Sequence, residues 1–333
     1  MSSKYTYAIL KNPEYTRVSF LDSDRLAINE LTLTLPVDNI RISLIGGVSY
    51  VLFDQSNPIA DEEIRLISRL SFAYAIFQVQ GELLAPITLN PEYFLNRELS
   101  SILKYSGKTN ELFTRLMLNL AGLHLKNVTQ PLSILDPMAG KGTTLYEALM
   151  QGHNAYGIEI EPKPPQEGQI YLKKYLETNK VKHSTHTEKI SGTSDFGKFT
   201  STRYQLQISK TLDFEIISGD SRNASHFYKK NQFNAIIADL PYGVQHGSKT
   251  AKRSPGFTRN ASGLLVEALP GWVKLLKPGG VMVLAWNLFL IPRAKMAEML
   301  MDNGLKVSES ISEMDFSHKV DQAIDRDLII GVR

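Results

Sequence analysis

Residues 132–161 read LSILDPMAGKGTTLYEALMQGHNAYGIEIE: a short apolar run, a glycine-bearing turn, an apolar-faced helix and a second strand-like run that ends in acids. Gly140 and Gly142 directly follow the first run, where larger side chains would keep a ligand away from the backbone. Glu159 ends the second run, 23 residues after Asp136. In an open parallel sheet this arrangement can form a nucleoside site, in which glycines admit the ligand and an acid accepts the ribose hydroxyls. Taken alone, two glycines before a helix also fit an ordinary strand-to-helix turn.

The spacing excludes two other glycine-rich sites. A phosphate-binding P-loop requires Gly, four residues and then Gly-Lys-Ser/Thr, but Gly142 follows Lys141 and no glycine lies five positions before Gly140. A dinucleotide fingerprint requires a third glycine where this chain has Leu145. The remaining pattern, Asp-Pro-x-x-Gly-x-Gly from Asp136, resembles the S-adenosylmethionine motif of Rossmann-type methyltransferases.

This resemblance implies a set of cofactor-binding residues. In the family, an acid after the third strand accepts a hydrogen bond from the adenine amine, and Asp220 matches it, although a Gly-Asp pair is also an ordinary helix cap. Thr114 follows Phe113 where several amino-directed methyltransferases have a Phe-Thr pair, although this helix could equally serve only to pack on the sheet. The full set is Thr114, Asp136, Pro137, Met138, Ala139, Gly140, Gly142, Thr143, Glu159, Ile160, Asp220, Ser221 and Asp239.

The pentapeptide DLPYG, residues 239–243, follows the buried strand predicted from FNAIIA, residues 233–238. It resembles the (Asp/Asn)-Pro-Pro-(Tyr/Phe) motif of methyltransferases that act on exocyclic amines of nucleobases, with Leu240 in place of the first proline. Variants of the form Asp-Leu-Pro-(Phe/Tyr)-Gly occur in an RNA methylase family related to the tRNA guanine-N2 enzymes that carry THUMP domains. The resemblance implies four catalytic residues, Asp239, Leu240, Pro241 and Tyr242.

These residue types suit methyl transfer to an aromatic amine, which is a poor nucleophile because its lone pair is delocalised into the ring. The Asp239 carboxylate and the Leu240 carbonyl would bind the amine hydrogens, direct the lone pair at the sulfonium methyl and stabilise the charge that grows on nitrogen. Pro241 fixes its own φ and so holds that carbonyl. Tyr242 would stack on the extruded base, a contact worth about 1–3 kcal/mol. Taken alone, the same letters also fit an ordinary turn.

A basic loop follows this motif. Its cations and its aromatic ring are suited to gripping phosphates while the ring stacks on a base, although a solvated lid would have the same composition. The candidate substrate-binding residues are His246, Lys249, Lys252, Arg253, Phe257 and Arg259. Residues 1–100 carry 8 Lys/Arg against 12 Asp/Glu, whereas the other 233 carry 29 against 22. The basic excess therefore lies in the half with the motifs, which favours a polyanionic partner.

Composition excludes several other classes of protein. The chain has 333 residues, of which 43% are hydrophobic and 21% charged, as is typical of globular proteins, and it has no cysteine. Disulfides and cysteine zinc sites are therefore excluded. Because His183 and His186 lack a nearby cluster of acids or cysteines, a solvated loop is favoured over a metal site and we expect no metal. No apolar run approaches the roughly 20 residues needed to span a bilayer, and no signal-peptide core is present, so we expect a cytoplasmic protein without membrane contact.

We expect three segments in the chain. Residues 1–88 form a smaller N-terminal α/β domain that could present the substrate, and residues 89–125 form a linker and a helix leading into the catalytic domain. Residues 126–333 form the S-adenosylmethionine-dependent methyltransferase domain, with a polar insertion near 180–210 that is mobile or forms a small hairpin. The resemblance implies a Rossmann-like α/β fold, with a seven-stranded sheet whose last strand is antiparallel.

Together these features predict an enzyme that transfers a methyl group from S-adenosylmethionine to an exocyclic base amine in RNA, with guanine N2 in tRNA as the favoured target. Two alternatives remain open. A DNA adenine or cytosine amino-methyltransferase would flip its base out of a duplex and usually carries a sizeable target-recognition domain. A cofactor-binding protein could instead bind RNA without turnover.

Overall fold

The computed structural model describes residues 5–14, 20–101, 110–125, 127–242, 261–309 and 313–333. The chain divides into two compact units. The first contains Met1–Glu92 and Glu313–Arg326, and the second contains Tyr93–Ser312 and Asp327–Arg333. None of the helices described is long and apolar enough to cross a membrane.

The first unit is an antiparallel sheet with two helices. Its elements up to Glu92 are β1 (Tyr5–Lys11), α1 (Phe20–Thr34), β2 (Asp38–Ile45), β3 (Val48–Gln55), α2 (Asp61–Arg69), β4 (Ala73–Gln80) and β5 (Leu83–Ile87). The strand order is β2-β3-β1-β4-β5, and every neighbouring pair is antiparallel. The first four strands with their helices thus have the split βαβ arrangement of ferredoxin-like domains.

Local sequence explains the β2–β3 hairpin and the core of this unit. Gly46 and Gly47 join the two strands with φ values of +60° and +81°, as a two-residue hairpin turn requires. Tyr7 and Phe53 are buried on the same face of the sheet, with ring centroids 5.4 Å apart.

Residues 313–326 also belong to this unit, a grouping that the sequence did not indicate. Asn29 of α1 donates a hydrogen bond to the carbonyl of Asp315 at 2.8 Å.

The second unit is built on a large mixed sheet. Its elements begin with α3 (Glu98–Ser101), α4 (Glu111–His124), β6 (Ser133–Asp136), α5 (Thr143–Met150), β7 (Asn154–Glu159), α6 (Lys163–Thr178), β8 (His183–Ser194) and β9 (Gly197–Ile208). They continue with β10 (Leu212–Ser218), a 3₁₀ turn (Ser221–Asn223), α7 (Ala224–Phe227), β11 (Phe233–Asp239), α8 (Ala261–Leu275) and β12 (Leu276–Asn287). The last elements of this unit are α9 (Arg293–Asp302), β13 (Lys306–Val307) and β15 (Ile324–Val332). β14 (His318–Asp321), which belongs with residues 313–326 to the first unit, pairs with the start of β15.

The strand order confirms the predicted fold class, a methyltransferase-like mixed sheet beside a smaller N-terminal domain. Seven strands follow the order β10-β7-β6-β11-β12-β15-β13; the central pairs are parallel and β13 runs antiparallel to β15. Within the described residues, β8, β9 and β14 extend this sheet to ten strands. The chain moves outward from β6 through β7 and β10 and then returns to β11 on the other side. Ligands bind beyond the carboxyl ends of strands at such a reversal.

The polar insertion forms a hairpin, one of the two outcomes that the sequence predicted, but this hairpin is larger than expected. β8 and β9 are twelve residues each and pair in one register from His183↔Ile208 to Ser194↔Gly197. β9 also pairs antiparallel with β10, so the hairpin continues the main sheet. The segment is rich in threonine, whose branched side chain favours strands, and this explains why a polar stretch forms long strands.

Candidate active site

The predicted acids lie at one edge of the sheet. Asp136 ends β6, Glu159 ends β7, Asp220 follows β10 by two residues and Asp239 ends β11. These strands are parallel neighbours, so their carboxyl ends face the same side. The topology therefore brings four of the predicted site residues to the point where the strand order reverses.

The glycine turn after β6 packs closely on β7. The Ala139 N–H donates a hydrogen bond to the Ile158 carbonyl at 2.9 Å, and the Gly140 N–H donates to Glu159 Oε2 at 2.9 Å. Gly140 and Gly142 have φ values of +55° and +97°, a region that favours glycine. Gly142 is also the N-cap of α5. The turn thus presents backbone rather than side chain at the edge of the sheet.

A third glycine, Gly157 on β7, makes this packing possible. A Cβ atom at Gly157 would lie 2.8 Å from Ala139 Cβ and 2.8 Å from Leu145 Cδ1. We therefore expect Gly157→Ala to displace the glycine turn, lower the free energy of unfolding by about 1–3 kcal/mol and weaken S-adenosylmethionine binding. Calorimetric titration and urea unfolding would measure both effects.

The matched control is Gly122→Ala in α4, where an added Cβ meets nothing within 4 Å. That change should leave cofactor binding unaltered and stability equal or slightly higher, because alanine favours a helix over glycine by about 0.5–1 kcal/mol. Equal cofactor affinity in the Gly157 variant and the wild type would contradict the role assigned to Gly157.

The Glu159 carboxylate is fixed by backbone donors on both sides. Besides Gly140, the Glu161 N–H donates to its Oε1 at 2.8 Å. Burial raises the pKa of Glu159, and these N–H groups oppose that rise by stabilising the anion. Ile160, another of the predicted cofactor-binding residues, directly follows Glu159 and is 40% exposed. A carboxylate held in this way keeps its remaining lone pairs available for hydroxyl donors.

Asp136 is the most perturbed of these acids. Burial raises the pKa of its carboxyl to about 7, hydrogen bonds from Thr144 and the Met138 N–H oppose the rise, and the charges of Asp239 and Glu159 add to it. The three carboxyls belong to the last residues of the neighbouring parallel strands β6, β7 and β11. Such a cluster suits a ligand that carries positive charge and hydroxyl donors, so the residues present fit S-adenosylmethionine.

The raised pKa predicts a pH-dependent stability. Because the folded-state pKa lies above the ordinary value of 3.8, the contribution of Asp136 is full below about pH 4 and is lost as the pH rises through about 7. We expect the wild type to lose about 2–3 kcal/mol more than Asp136→Asn between pH 5 and pH 8. Urea unfolding at both pH values measures this difference, and identical pH dependence in the two proteins would contradict it.

Asp220 is bound by a neighbouring arginine. The Arg222 N–H donates to Asp220 Oδ1 at 2.9 Å, and the guanidinium Nε and Nη2 donate to Oδ2 at 2.9 and 2.6 Å. Arg222 also bonds Glu267 of α8 at 2.7 Å, and its guanidinium lies 4.8 Å from the centre of the Phe196 ring. Asp220 thus caps the 3₁₀ turn, the ordinary reading of its Gly-Asp pair, and the adenine contact remains a prediction.

Several of the other predicted cofactor residues lie at the same edge, whereas Thr114 lies within α4. Ser221 Oγ lies 3.7 Å from Met138 Sδ, which brings the segments after β10 and β6 together. Pro137, Ala139 and Thr143 are buried in the turn and at the start of α5. Thr114 is fully buried in α4, where its hydroxyl donates to the Asn110 carbonyl at 3.2 Å.

The predicted catalytic motif, residues 239–242, follows the end of β11 and is held by hydrogen bonds. The Leu240 N–H donates to the Ala285 carbonyl at 2.8 Å and the Leu240 side chain is buried. The Tyr242 hydroxyl donates to Asp239 Oδ1, and Asn287 Nδ2 donates to the Tyr242 carbonyl at 3.3 Å. Tyr242 therefore holds the carboxylate that the sequence assigned to catalysis, in addition to its predicted stacking role.

Three residues that form hydrogen bonds with the predicted site residues were not predicted from the sequence. Thr144 bonds Asp136, Asn287 bonds the motif from the end of β12, and Arg222 bonds Asp220. Asn287 could have been found, because it is the first polar residue after an apolar strand. The predicted substrate-binding residues His246, Lys249, Lys252, Arg253, Phe257 and Arg259 lie outside the described residues.

Comparison with known proteins identifies a family. Residues 104–274 match the model of UPF0020, described as an RMKL-like methyltransferase domain. The tRNA (guanine(10)-N2)-dimethyltransferase of Methanothermobacter thermautotrophicus is 25% identical over 202 residues, which cover 56% of this chain and 48% of that enzyme. The chain thus spans about half the length of this curated relative.

Solved methyltransferase structures are also similar. The magnesium protoporphyrin IX methyltransferase of Synechocystis with bound S-adenosylmethionine aligns at a TM-score of 0.40 and 12% identity, over 69% of this chain and 86% of that one. The 1,6-didemethyltoxoflavin-N1-methyltransferase of Burkholderia thailandensis with S-adenosylhomocysteine aligns at 0.40 and 14%, over 67% and 79%.

Proposed function

Because the chain belongs to the UPF0020 family of RMKL-like methyltransferase domains, we propose that it transfers the methyl group of S-adenosylmethionine to an exocyclic base amine in RNA, with guanine N2 in tRNA as the target. The observation that carries the proposal is the place of Asp239-Leu240-Pro241-Tyr242 at the carboxyl end of β11, beside the glycine turn after β6. The similarity to a tRNA guanine-N2 enzyme over 202 residues supports the choice of substrate.

The cofactor would be held along the carboxyl edge. Glu159 would accept the ribose hydroxyls, Asp220 and Ser221 would border the adenine, and Asp136 with Thr114 would lie toward the methionine end. The backbone of Gly140 and Gly142 would admit the ligand closely because neither residue has a side chain. When bound, the cofactor supplies a methyl group on a positively charged sulfur.

The chain's own residues would orient the base amine that receives the methyl group. The Asp239 carboxylate and the Leu240 carbonyl would accept hydrogen bonds from its two N–H groups. These bonds would turn the nitrogen lone pair toward the methyl and stabilise the positive charge that develops on nitrogen. The hydrogen bond from Tyr242 holds the Asp239 carboxylate, and the bonds of the Leu240 N–H to Ala285 and of Asn287 to the Tyr242 carbonyl hold the backbone on either side of Pro241. Such preorganisation avoids rearranging dipoles during the reaction.

The proposal includes roles for other parts of the chain. We expect the first unit to present the substrate, and the predicted loop with His246, Lys249, Lys252, Arg253, Phe257 and Arg259 to contact RNA phosphates and bases. The domain limits of 1–88, 89–125 and 126–333 are part of the same proposal.

Incubation with methyl-labelled S-adenosylmethionine and separate tRNA, rRNA and DNA pools tests the proposal. We expect label in tRNA, recovered as N2-methylated guanosine after digestion to nucleosides. Label in DNA as methyladenine or methylcytosine would support the DNA amino-methyltransferase instead. Cofactor affinity without transfer to any pool would support a binding protein without turnover.

A further inference from the structure

The β8–β9 hairpin projects beyond the carboxyl edge of the sheet. The last pair between β9 and β10 is Thr202↔Ser218, and residues 190–194 and 197–201 pair only with each other past that point. At about 3.3 Å per residue, the projection is about 16 Å long. It rises on the side of the sheet where Asp220 follows β10.

One face of the projection, which we call the inner face, is fixed on α7 and the segment after β10. The ring of Phe199 lies 5.4 Å from that of Phe227, and Ser201 is buried against Gly219, where an added Cβ would lie 2.7 Å from its Oγ. At the turn, Phe196 lies over the Arg222 guanidinium. These contacts pack the hairpin against α7 and the segment after β10.

The inner face also neutralises its own charge. Arg203 Nη1 bonds Glu188 Oε1 at 2.7 Å and its Nε lies 3.0 Å from Glu215 Oε1. Arg203 Nη2 donates to the Phe227 carbonyl at 2.8 Å as well. The Arg203 guanidinium therefore binds groups of the protein itself and fastens the hairpin to β10 and α7.

The opposite, outer face has unbalanced positive charge. Alternation along each strand places on it the exposed residues Lys189, Ser191, Thr193, Lys198 and Thr200, on the same side as Thr187, whose hydroxyl contacts Gln169 of α6 at 3.4 Å. Within the described parts of the chain, neither lysine has a carboxylate within ion-pair distance. Of the hairpin's two acids, Glu188 is paired on the inner face and Asp195 lies at the turn.

We propose that this outer face is a phosphate-binding surface for the RNA substrate. Two lysines among hydroxyl donors, on a strand pair in continuous register, match the charge and acceptor oxygens of a sugar-phosphate backbone. Four strand spacings separate β9 from β11, so the surface lies about 19 Å from Asp239 along the edge. It therefore binds the RNA away from the base being methylated. The inference rests on the proposed RNA methyltransferase function.

The test compares two charge-reversal variants of the full chain. Lys189→Glu/Lys198→Glu alters the outer face, and Lys229→Glu/Lys230→Glu makes the same change at exposed lysines that precede β11, at the opposite edge of the sheet. Affinity for an unmodified tRNA transcript is measured by fluorescence anisotropy across a series of salt concentrations, and S-adenosylmethionine affinity by calorimetry. Lys189→Gln/Lys198→Gln provides a milder second variant.

We expect the hairpin variant to bind tRNA about tenfold more weakly at 0.1 M salt, with a log–log salt slope smaller by about 1.5, while S-adenosylmethionine affinity and kcat at saturating tRNA stay within about twofold. The Gln variant should show the same change in slope. The control variant should match the wild type. Unchanged tRNA affinity in both hairpin variants, or an equal loss of affinity in the control variant, would contradict the proposal that the outer face binds RNA phosphates.

The outcomes separate this inference from the proposed function. Methyl transfer to RNA by the wild type, with an unchanged KM in the hairpin variants, would support the proposed function and contradict the phosphate-binding role of the outer face. Hairpin-dependent tRNA binding without methyl transfer by the wild type would support that role and contradict the proposed function.

Discussion

Asp239→Ala is expected to lower kcat for methyl transfer by about 10²–10³-fold while changing S-adenosylmethionine affinity less than about threefold. In the proposed function the Asp239 carboxylate contacts the amine hydrogens, and it would stabilise charge that develops only during transfer. Removing it therefore costs little in the cofactor complex and much in the transition state. Single-turnover assays with labelled cofactor, alongside calorimetric titration, separate the two effects.

Two controls sharpen this prediction. Asp239→Asn keeps the shape and the Tyr242 contact but removes the negative charge, so it should also be strongly impaired. Asp213→Asn removes an exposed acid at the amino end of β10, in the same sheet but at the opposite edge, and should retain full activity. Full activity in either Asp239 variant would remove the catalytic assignment.

Arg115→Ala is expected to lower the free energy of unfolding by about 3–5 kcal/mol, because it leaves a buried carboxylate without its cation. Arg115 of α4 donates to Glu147 of α5 through Nε at 3.0 Å and Nη2 at 3.2 Å, and Ser100 donates to the same carboxylate at 2.5 Å. The side chains of Arg115 and Glu147 are 3% and 0% exposed. Urea unfolding followed by circular dichroism measures the loss.

An exposed pair provides the comparison. Lys173 and Glu177 of α6 lie 3.8 Å apart with half-exposed side chains, and Lys173→Ala should cost no more than about 0.5 kcal/mol. Replacing both buried partners, as Arg115→Met/Glu147→Leu, should recover much of the loss, since no charge is then left buried. A loss below about 1 kcal/mol for Arg115→Ala would show that water reaches Glu147.

The residues at the carboxyl ends of the strands could be predicted from the sequence, because each motif depends only on neighbouring residues. A buried parallel strand is a continuous apolar run, and the first polar residues after it must lie at its carboxyl end. Asp136, Glu159 and Asp239 were placed by that rule alone, and the topology then brought them together. Positive φ values at Gly140 and Gly142 follow from the same local chemistry.

The remaining contacts depend on tertiary pairing. Arg222 reaches Glu267, 45 residues away, and Asn287 reaches the Tyr242 carbonyl across neighbouring strands. No local pattern specifies such partners. The β8–β9 hairpin was underestimated because its serines, threonines and glycines resemble a loop, whereas its strands are stabilised by the edge of β10. The affiliation of residues 313–326 with the first unit likewise depends on contacts distant in sequence.

A crystal structure of the full chain with S-adenosylhomocysteine would locate the cofactor relative to Glu159 and Asp239. We expect the ligand along the carboxyl edge, with its ribose hydroxyls within hydrogen-bond distance of Glu159 and its sulfur facing the Asp239 carboxylate across the turn formed by Gly140 and Gly142. A ligand bound elsewhere, or one whose sulfur lies remote from Asp239, would contradict it.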